Sequence, residues 1–424
     1  MKSFYFTLLL LVCATSLAAQ SLCFTPELFQ DTTLRLDYTL TGGQHRPVSI
    51  SLDKLVRTPG WYGRRQHLDS LNLVGNGQIV MRDAESHQVL YRTSFSTLFQ
   101  EWLAETDEPQ QVNRSFQLCQ LVPMPRQKAE VTVSLLDMRH EPIATFTHAV
   151  DPSDILIHRR GEHPLPYVRI TAESIIPTTP DTPEPFADCQ GQNIPVAFLP
   201  EGYTADEMNL FYEDCRVAVE SLLSHEPYTT FADNFRFFAV NAPSADSGVS
   251  IPLHNDWRNT AFGSHFSTFY SDRYLTTLQV QSLHDALAGI PYQHIIVLAN
   301  TDNYGGGGIF NMYNLTAAHH PKFRPVVVHE FGHSFAGLAD EYFYEYEDVG
   351  AGSYPLDVEP WEPNITTRTD KEKGARIGRY EGGGYATHGI YRYQEDCRMR
   401  TNEYPTFCPI CQQAIIDVIR FYTH

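Results

Sequence analysis

The sequence predicts a mixed α+β protein: an N-terminal β-sandwich, then an α/β domain whose mixed sheet carries a helix with the pattern His-Glu-x-x-His. Three observations predict it. Short alternating apolar runs fill roughly the first third of the chain, separated by Gly, Pro, Asp and Asn. A proline-rich stretch follows. Beyond it, buried-strand and helical patterns alternate up to the segment His329 to Asp340.

At 424 residues the chain is long enough for two domains, each with a full core, and its 42% hydrophobic and 12% aromatic content is that of a globular protein. The formal charge of −19, from 31 basic and 50 acidic residues, argues against nucleic acid or an anionic membrane surface as partner. Residues 1–19 have the form of a signal peptide: Lys2, an apolar stretch from Phe4 to Cys13, and small residues around Ala18 and Ala19 where cleavage is expected. No later stretch approaches 18 apolar residues, so no transmembrane segment is expected. The mature protein is expected to be exported to the periplasm, the cell surface or the medium.

The accessory domain, residues 20–150, rests on the runs Leu34 to Leu40, Val48 to Leu55, Gln78 to Arg82, Val89 to Ser94, Glu130 to Leu136 and Ile143 to Val150. Residues 151–190 read as a linker, because Ile176 to Pro185 holds four prolines in ten residues and should be extended and stiff. The second domain, 191–424, opens with a buried strand at Ile194. A helix is expected from Thr204 to Ser224, a strand at Phe235 to Val240, a helix from Ser271 to Leu287 and a strand at His294 to Ala299. The motif helix should lie against that sheet. Three formal glycosylation sequons begin at Asn113, Asn314 and Asn364.

On a helix, His329 and His333 at i and i+4 share one face, so both imidazoles can reach one tetrahedral ion. Glu330 stands beside them, where a carboxylate can take a proton from water activated by Zn²⁺. Two histidines leave such a site one protein ligand short. Asp340, Glu341, Glu345, Glu347, Asp348, His388 and Glu395 are the downstream candidates, and Asp340 is favoured because Gly337 lets the chain turn back under the metal. Glu345, Glu347 and Asp348 read as a solvated acidic run or a weak Ca²⁺ site.

Loss of the signal peptide leaves Cys23, Cys119, Cys189, Cys215, Cys397, Cys408 and Cys411. Cys408-Pro409-Ile410-Cys411 could serve redox chemistry or zinc, and a structural role is favoured, with Cys397 pairing to Cys408 or Cys411 across a short loop. A different class of reading is an exported glycan- or protein-binding module in which the metal is structural or absent.

The segment His329 to Tyr342, with Cys397-Arg398-Met399-Arg400 and Phe407-Cys408-Pro409-Ile410-Cys411, resembles the IgA peptidase family of secreted bacterial zinc metallopeptidases, on the metzincin side of the His-Glu-x-x-His enzymes. The resemblance covers roughly residues 190 to 424, and the β-rich N-terminal domain is similar to an accessory domain found in part of that family. It implies a zinc endopeptidase acting on protein or peptide substrates, including host glycoproteins such as immunoglobulin A. It implies Zn²⁺ on His329, His333 and Asp340, Glu330 as the base, and Met399 in a turn beneath the metal. The common metzincin spacing places glycine seven and the third ligand ten residues after the first histidine; here Gly337 stands at +8 and Asp340 at +11. Metzincin-type enzymes bind substrate as an added strand, which makes Gly306, Gly307 and Gly308 the expected sheet edge and cleft wall. Tyr404 is a candidate hydrogen-bond donor to the reacting carbonyl.

Overall fold

The computed structural model describes residues 21–178, 193–343, 354–368 and 379–424. The expected signal peptide, most of the proline-rich stretch, Cys189, Glu345, Glu347 and Asp348 lie outside the described residues.

Two four-stranded sheets build the N-terminal part. One runs in the order β5-β1-β2-β8, from β1 (Phe29–Gly43), β2 (Arg46–Pro59), β5 (Asn113–Pro125) and β8 (His158–Arg159). The other runs β4-β3-β6-β7, from β3 (Gly77–Asp83), β4 (Val89–Phe95), β6 (Ala129–Leu136) and β7 (Pro142–Val150). Their inward residues, among them Leu36, Leu40, Leu118, Ile79, Val131 and Val133, share one buried cluster. All six expected runs are strands. Helix α1 (Leu98–Glu105), β5, whose last eight residues are all buried and so carry no alternation, and the two-residue β8, which falls in the stretch read as linker, have no counterpart in the sequence reading.

The second part is organised by a seven-stranded sheet in the order β10-β9-β12-β11-β13-β15-β14. Its strands are β9 (Tyr167–Ile170), β10 (Ile175–Pro177), β11 (Ile194–Glu201), β12 (Phe235–Val240), β13 (His294–Ala299), β14 (Gly306–Ile309) and β15 (Tyr313–Ala317). The four central strands are parallel; β9, β10 and β14 are antiparallel at the two sides. Part of the stretch read as linker, Tyr167–Pro177, therefore belongs to this sheet, because its apolar residues complete the edge beside β12.

Both faces of the sheet are covered, which explains why β11 and β13 are buried throughout and, apart from Glu201 and His294 at their ends, apolar. In β13, Ile296 and Leu298 point into a core with helices α2 (Met208–Leu223), α4 (Phe323–Ala336) and α5 (Pro409–Thr423), while Ile295, Val297 and Ala299 join the core of the N-terminal sheets. Helix α3 (Val280–Ala286) lies on that second side. It is shorter than the expected Ser271 to Leu287. Tyr274 bridges to Gly306, Thr276 bridges to His265, and the Thr277 hydroxyl donates to Phe262 O while accepting from Gln279 N, so tertiary pairing and β-branched residues hold this stretch extended. A small sheet, β16-β18-β17, from β16 (Ile365–Thr366), β17 (Tyr380–Gly383) and β18 (Ala386–Arg392), packs beside the end of α4. No helix among the described residues is long and apolar enough to cross a membrane.

Candidate active site

Helix α4 carries His329, Glu330 and His333 and lies on β14 and β15. Asn314, buried in β15, donates from its side-chain amide to Val327 O of the helix at 3.2 Å. The edge strand approaches so closely that a Cβ at Gly308 would stand 2.3 Å from the Glu330 carbonyl oxygen, and one at Gly306 2.7 Å from Glu330 Oε1. Gly308 is thus required by the packing of the strand on the helix backbone, while the missing Cβ at Gly306 leaves room for the Glu330 carboxylate. The outer side of β14 is also partly occupied, since Leu275 N–H donates to Gly306 O and Gly306 N–H to Arg273 O, both at 3.4 Å. The open strand edge expected over Gly306 to Gly308 is therefore covered at Gly306 by the Arg273 to Thr276 segment, which the sequence reading had placed in a helix.

The helix ends where the turn was expected. Gly337 has φ +59°, its N–H returns to His333 O at 2.9 Å, and Leu338 N–H returns to Gly332 O at 3.2 Å. The reversal brings Asp340 Oδ1 to 2.9 Å from His329 Nε2 and 3.3 Å from His333 Nε2, with the two Nε2 atoms 3.0 Å apart. The extra residue before the glycine is absorbed by this turn. Asp340 is fixed by Tyr385, whose hydroxyl donates to Oδ2 at 2.5 Å.

The second nitrogens of both rings face backbone carbonyls: His329 Nδ1 lies 3.0 Å from Arg398 O, and His333 Nδ1 lies 2.5 Å from Leu338 O. In the neutral form each ring then takes one tautomer, Nδ1–H donating to the carbonyl and Nε2 presenting its lone pair. Two lone pairs and the buried Oδ1, which has no hydrogen-bond donor, converge on one point. A cation satisfies such a convergence, and the nitrogen and carboxylate donor set fits Zn²⁺.

Burial, opposed by the neighbouring His329 and His333, raises the Glu330 carboxyl above its ordinary value. For Asp340 burial also acts upward, but His333 and the His329 contact outweigh it and hold the carboxyl well below the usual range. His333 moves the other way: burial would lower it, and Asp340 pushes it up to about 9.

Met399 is fully buried beneath the helix, its sulfur positioned 2.8 Å from where a Cβ on Gly332 would be. Its carbonyl accepts from Glu341 N at 2.8 Å. Tyr404 is half-buried and accepts from Gln394 Nε2 at 3.4 Å; among the described residues no hydrogen bond joins it to the motif helix. Of the other third-ligand candidates, Glu341 is buried among cysteines, while His388 is exposed beside Glu381 at 3.5 Å. Sequence reasoning missed Tyr385, which had no local signal, and Asn364. The latter was a formal sequon but is fully buried, accepts from Ala339 N and donates to Ala339 O and Glu341 Oε1, clamping the turn. Asn314 is equally buried, so neither asparagine presents a glycosylation site. The N-terminal part also reaches the site: Glu101 on α1 accepts from the Tyr274 hydroxyl, and burial with the nearby Glu105 charge pushes its carboxyl up to about 8.

Family models complete the picture. One described as IgA Peptidase M64 matches residues 187–374 and 368–419, and one described as the Peptidase M64 N-terminus matches residues 25–147. Fold and match together define a peptidase domain preceded by an accessory domain. The chain belongs to the IgA Peptidase M64 family. No curated protein matches it significantly.

Proposed function

We propose that this peptidase is an exported zinc endopeptidase, with Zn²⁺ held by His329, His333 and Asp340 and with Glu330 as general base. The observation that carries the reading is the convergence of His329 Nε2, His333 Nε2 and Asp340 Oδ1, each within 3.3 Å of the other two. Bound there, Zn²⁺ supplies Lewis-acid polarisation of a peptide carbonyl and lowers the pKa of water. The chain does the rest. The carbonyls of Arg398 and Leu338 hold the two imidazoles in the metal-binding tautomer, and Tyr385 fixes the carboxylate that completes the set.

Glu330, half-buried beside His329 and facing Gly306, takes the proton from attacking water and returns it to the departing amine. Its raised pKa suits the first step, since it makes the carboxylate a stronger base, and lets the group hold the proton until the amine departs. Met399 closes the floor of the site through contact with Gly332. The substrate is a protein or peptide, and immunoglobulin A is the candidate offered by the family description. Metal analysis combined with cleavage of a generic peptide, with and without chelator, tests the reading. One metal lost with His329→Ala/His333→Ala and chelator-sensitive cleavage are expected; cleavage that survives loss of that metal would overturn it.

A further inference from the structure

Behind the candidate active site lies a second convergence of ligand atoms. Glu341, Cys397, Cys408 and Cys411 are all buried, and one ligand atom from each lies within 4.8 Å of every other. Cys397 Sγ and Cys411 Sγ are 3.7 Å apart, and Glu341 Oε1 lies 3.1 Å from Cys411 Sγ and 4.0 Å from Cys408 Sγ. A disulfide needs sulfurs about 2.05 Å apart, so the expected pairing of Cys397 with Cys408 or Cys411 is replaced by three separate thiols. Tetrahedral coordination with Zn–S near 2.3 Å and Zn–O near 2.1 Å requires sulfurs about 3.8 Å apart and sulfur–oxygen edges of about 3.5 Å. The observed spacings bracket those values.

Two further features point to a cation. Glu341 is fully buried, and its Oε2 has no hydrogen-bond partner, a costly state for a carboxylate in an otherwise apolar core. The sulfurs also receive backbone N–H groups: Cys408 N–H points at Cys397 Sγ at 3.1 Å and Cys411 N–H at Cys408 Sγ at 3.5 Å. Cys408 is the N-cap of α5, a 15-residue helix opening with Pro409, so its thiolate and that of Cys411 stand at the positive end of the helix dipole. Asn364 donates to Glu341 Oε1 at 3.0 Å and orients it.

We propose that Glu341, Cys397, Cys408 and Cys411 form a second, structural metal site that takes a thiophilic divalent cation of the zinc class. The thiols release their protons to solvent on binding, so no oxidant or reductant takes part. All four protein ligands are supplied, which leaves no position for substrate and makes the site structural. Its placement gives it a purpose. Glu341 follows Asp340, and Cys397 precedes Arg398, whose carbonyl orients His329, and Met399, whose carbonyl binds Glu341 N. The ion would tie the Asp340 turn, the Met399 segment and the last helix together.

The test uses the protein without its expected signal peptide, residues 20–424, purified under reducing conditions without chelator. Elemental analysis should give two equivalents of metal for the wild type and one for His329→Ala/His333→Ala, which leaves the cysteines untouched. After exchange into Co²⁺, that variant should show thiolate-to-cobalt charge-transfer bands in the near ultraviolet, and its zinc form should show sulfur scatterers at about 2.3 Å by X-ray absorption. Cys408→Ser/Cys411→Ser should lose the bands. No metal and no charge-transfer bands in the histidine variant would overturn the proposal, as would an intact mass two hydrogens lighter, locating a disulfide among these cysteines. A wild type whose single metal is lost with the cysteine variant but kept by the histidine variant would support the second site and refute the zinc assignment at His329, so the two readings fail separately.

Discussion

Glu330 is distinguished from the chain's other carboxylates by position: it faces Gly306 beside two histidines, and burial raises its pKa. Glu330→Gln keeps the shape and removes the base, so metal content should be unchanged while kcat falls by about 10²- to 10⁴-fold, measured on the same peptide substrate. Asp340→Ala should instead lower metal affinity, because it removes a donor atom at 2.9 Å from His329 Nε2. Away from the site, burial pushes Glu201 and Glu362 up to about 7 from 4.5. Their folded values lie above the unfolded ones, so the native state holds more protons between these limits. Stability is then fullest below about pH 4.5 for these groups and falls as pH rises through 7. Glu362→Gln removes one such proton site, and urea unfolding between about pH 5 and 8 should show a flatter slope, with on the order of 3 kcal/mol as the upper bound.

At the scale of elements, the His-Glu-x-x-His helix and its glycine end were legible because helical periodicity and a left-handed glycine are local properties. The Gly306 to Gly308 run was legible as an edge strand, but its cause was not. It is the contact with α4, which no local pattern encodes. The two glycines should respond differently. At Gly308 a Cβ meets the helix backbone at 2.3 Å, so Gly308→Ala should destabilise the fold by about 1–3 kcal/mol in a thermal or urea melt. At Gly306 the nearest atom is Glu330 Oε1, the free end of a side chain, so Gly306→Ala should fold normally and lose activity by displacing the base. Equal loss of stability in both would show that the strand, not the carboxylate, is what Gly306 serves. Ser271 to Leu287 went the other way: the pattern read as one helix, yet Tyr274 and Thr276 found bridge partners elsewhere.

Across the whole molecule, the N-terminal sheets are more than an appendage. They share a core with one face of the seven-stranded sheet, and hydrogen bonds cross between them from Ser96 N to Phe310 O at 2.9 Å and from Asn311 Nδ2 to Ser94 O at 2.7 Å. Arg35 on β1 is 1% exposed and paired with Asp37 at 2.7 Å and with Asp285 on α3 at 2.8 Å. Arg35→Ala leaves the buried Asp37 with only the more distant Lys54 ammonium at 3.7 Å and should cost up to about 3–5 kcal/mol by chemical denaturation. A fragment beginning at residue 165 keeps β9 and β10 but loses that covering layer; circular dichroism and size-exclusion chromatography should find it unfolded or aggregated, whereas a compact, cooperatively melting fragment would show the domains to be independent.

The sequence by itself determined six of the eight strands of the N-terminal sheets, three of the four central strands of the second sheet, β11, β12 and β13, and the spacing that aligns His329, Glu330 and His333. Each follows from periodicity or from a residue's own backbone preference. Only the tertiary structure decided which distant groups meet. Asp340 comes to the histidines because Gly337 reverses the chain and Asn364 and Tyr385 hold it there; Glu341 comes to three cysteines because α5 docks behind the same turn. Such convergence depends on packing between segments tens of residues apart, and the separations in sequence carry no record of it.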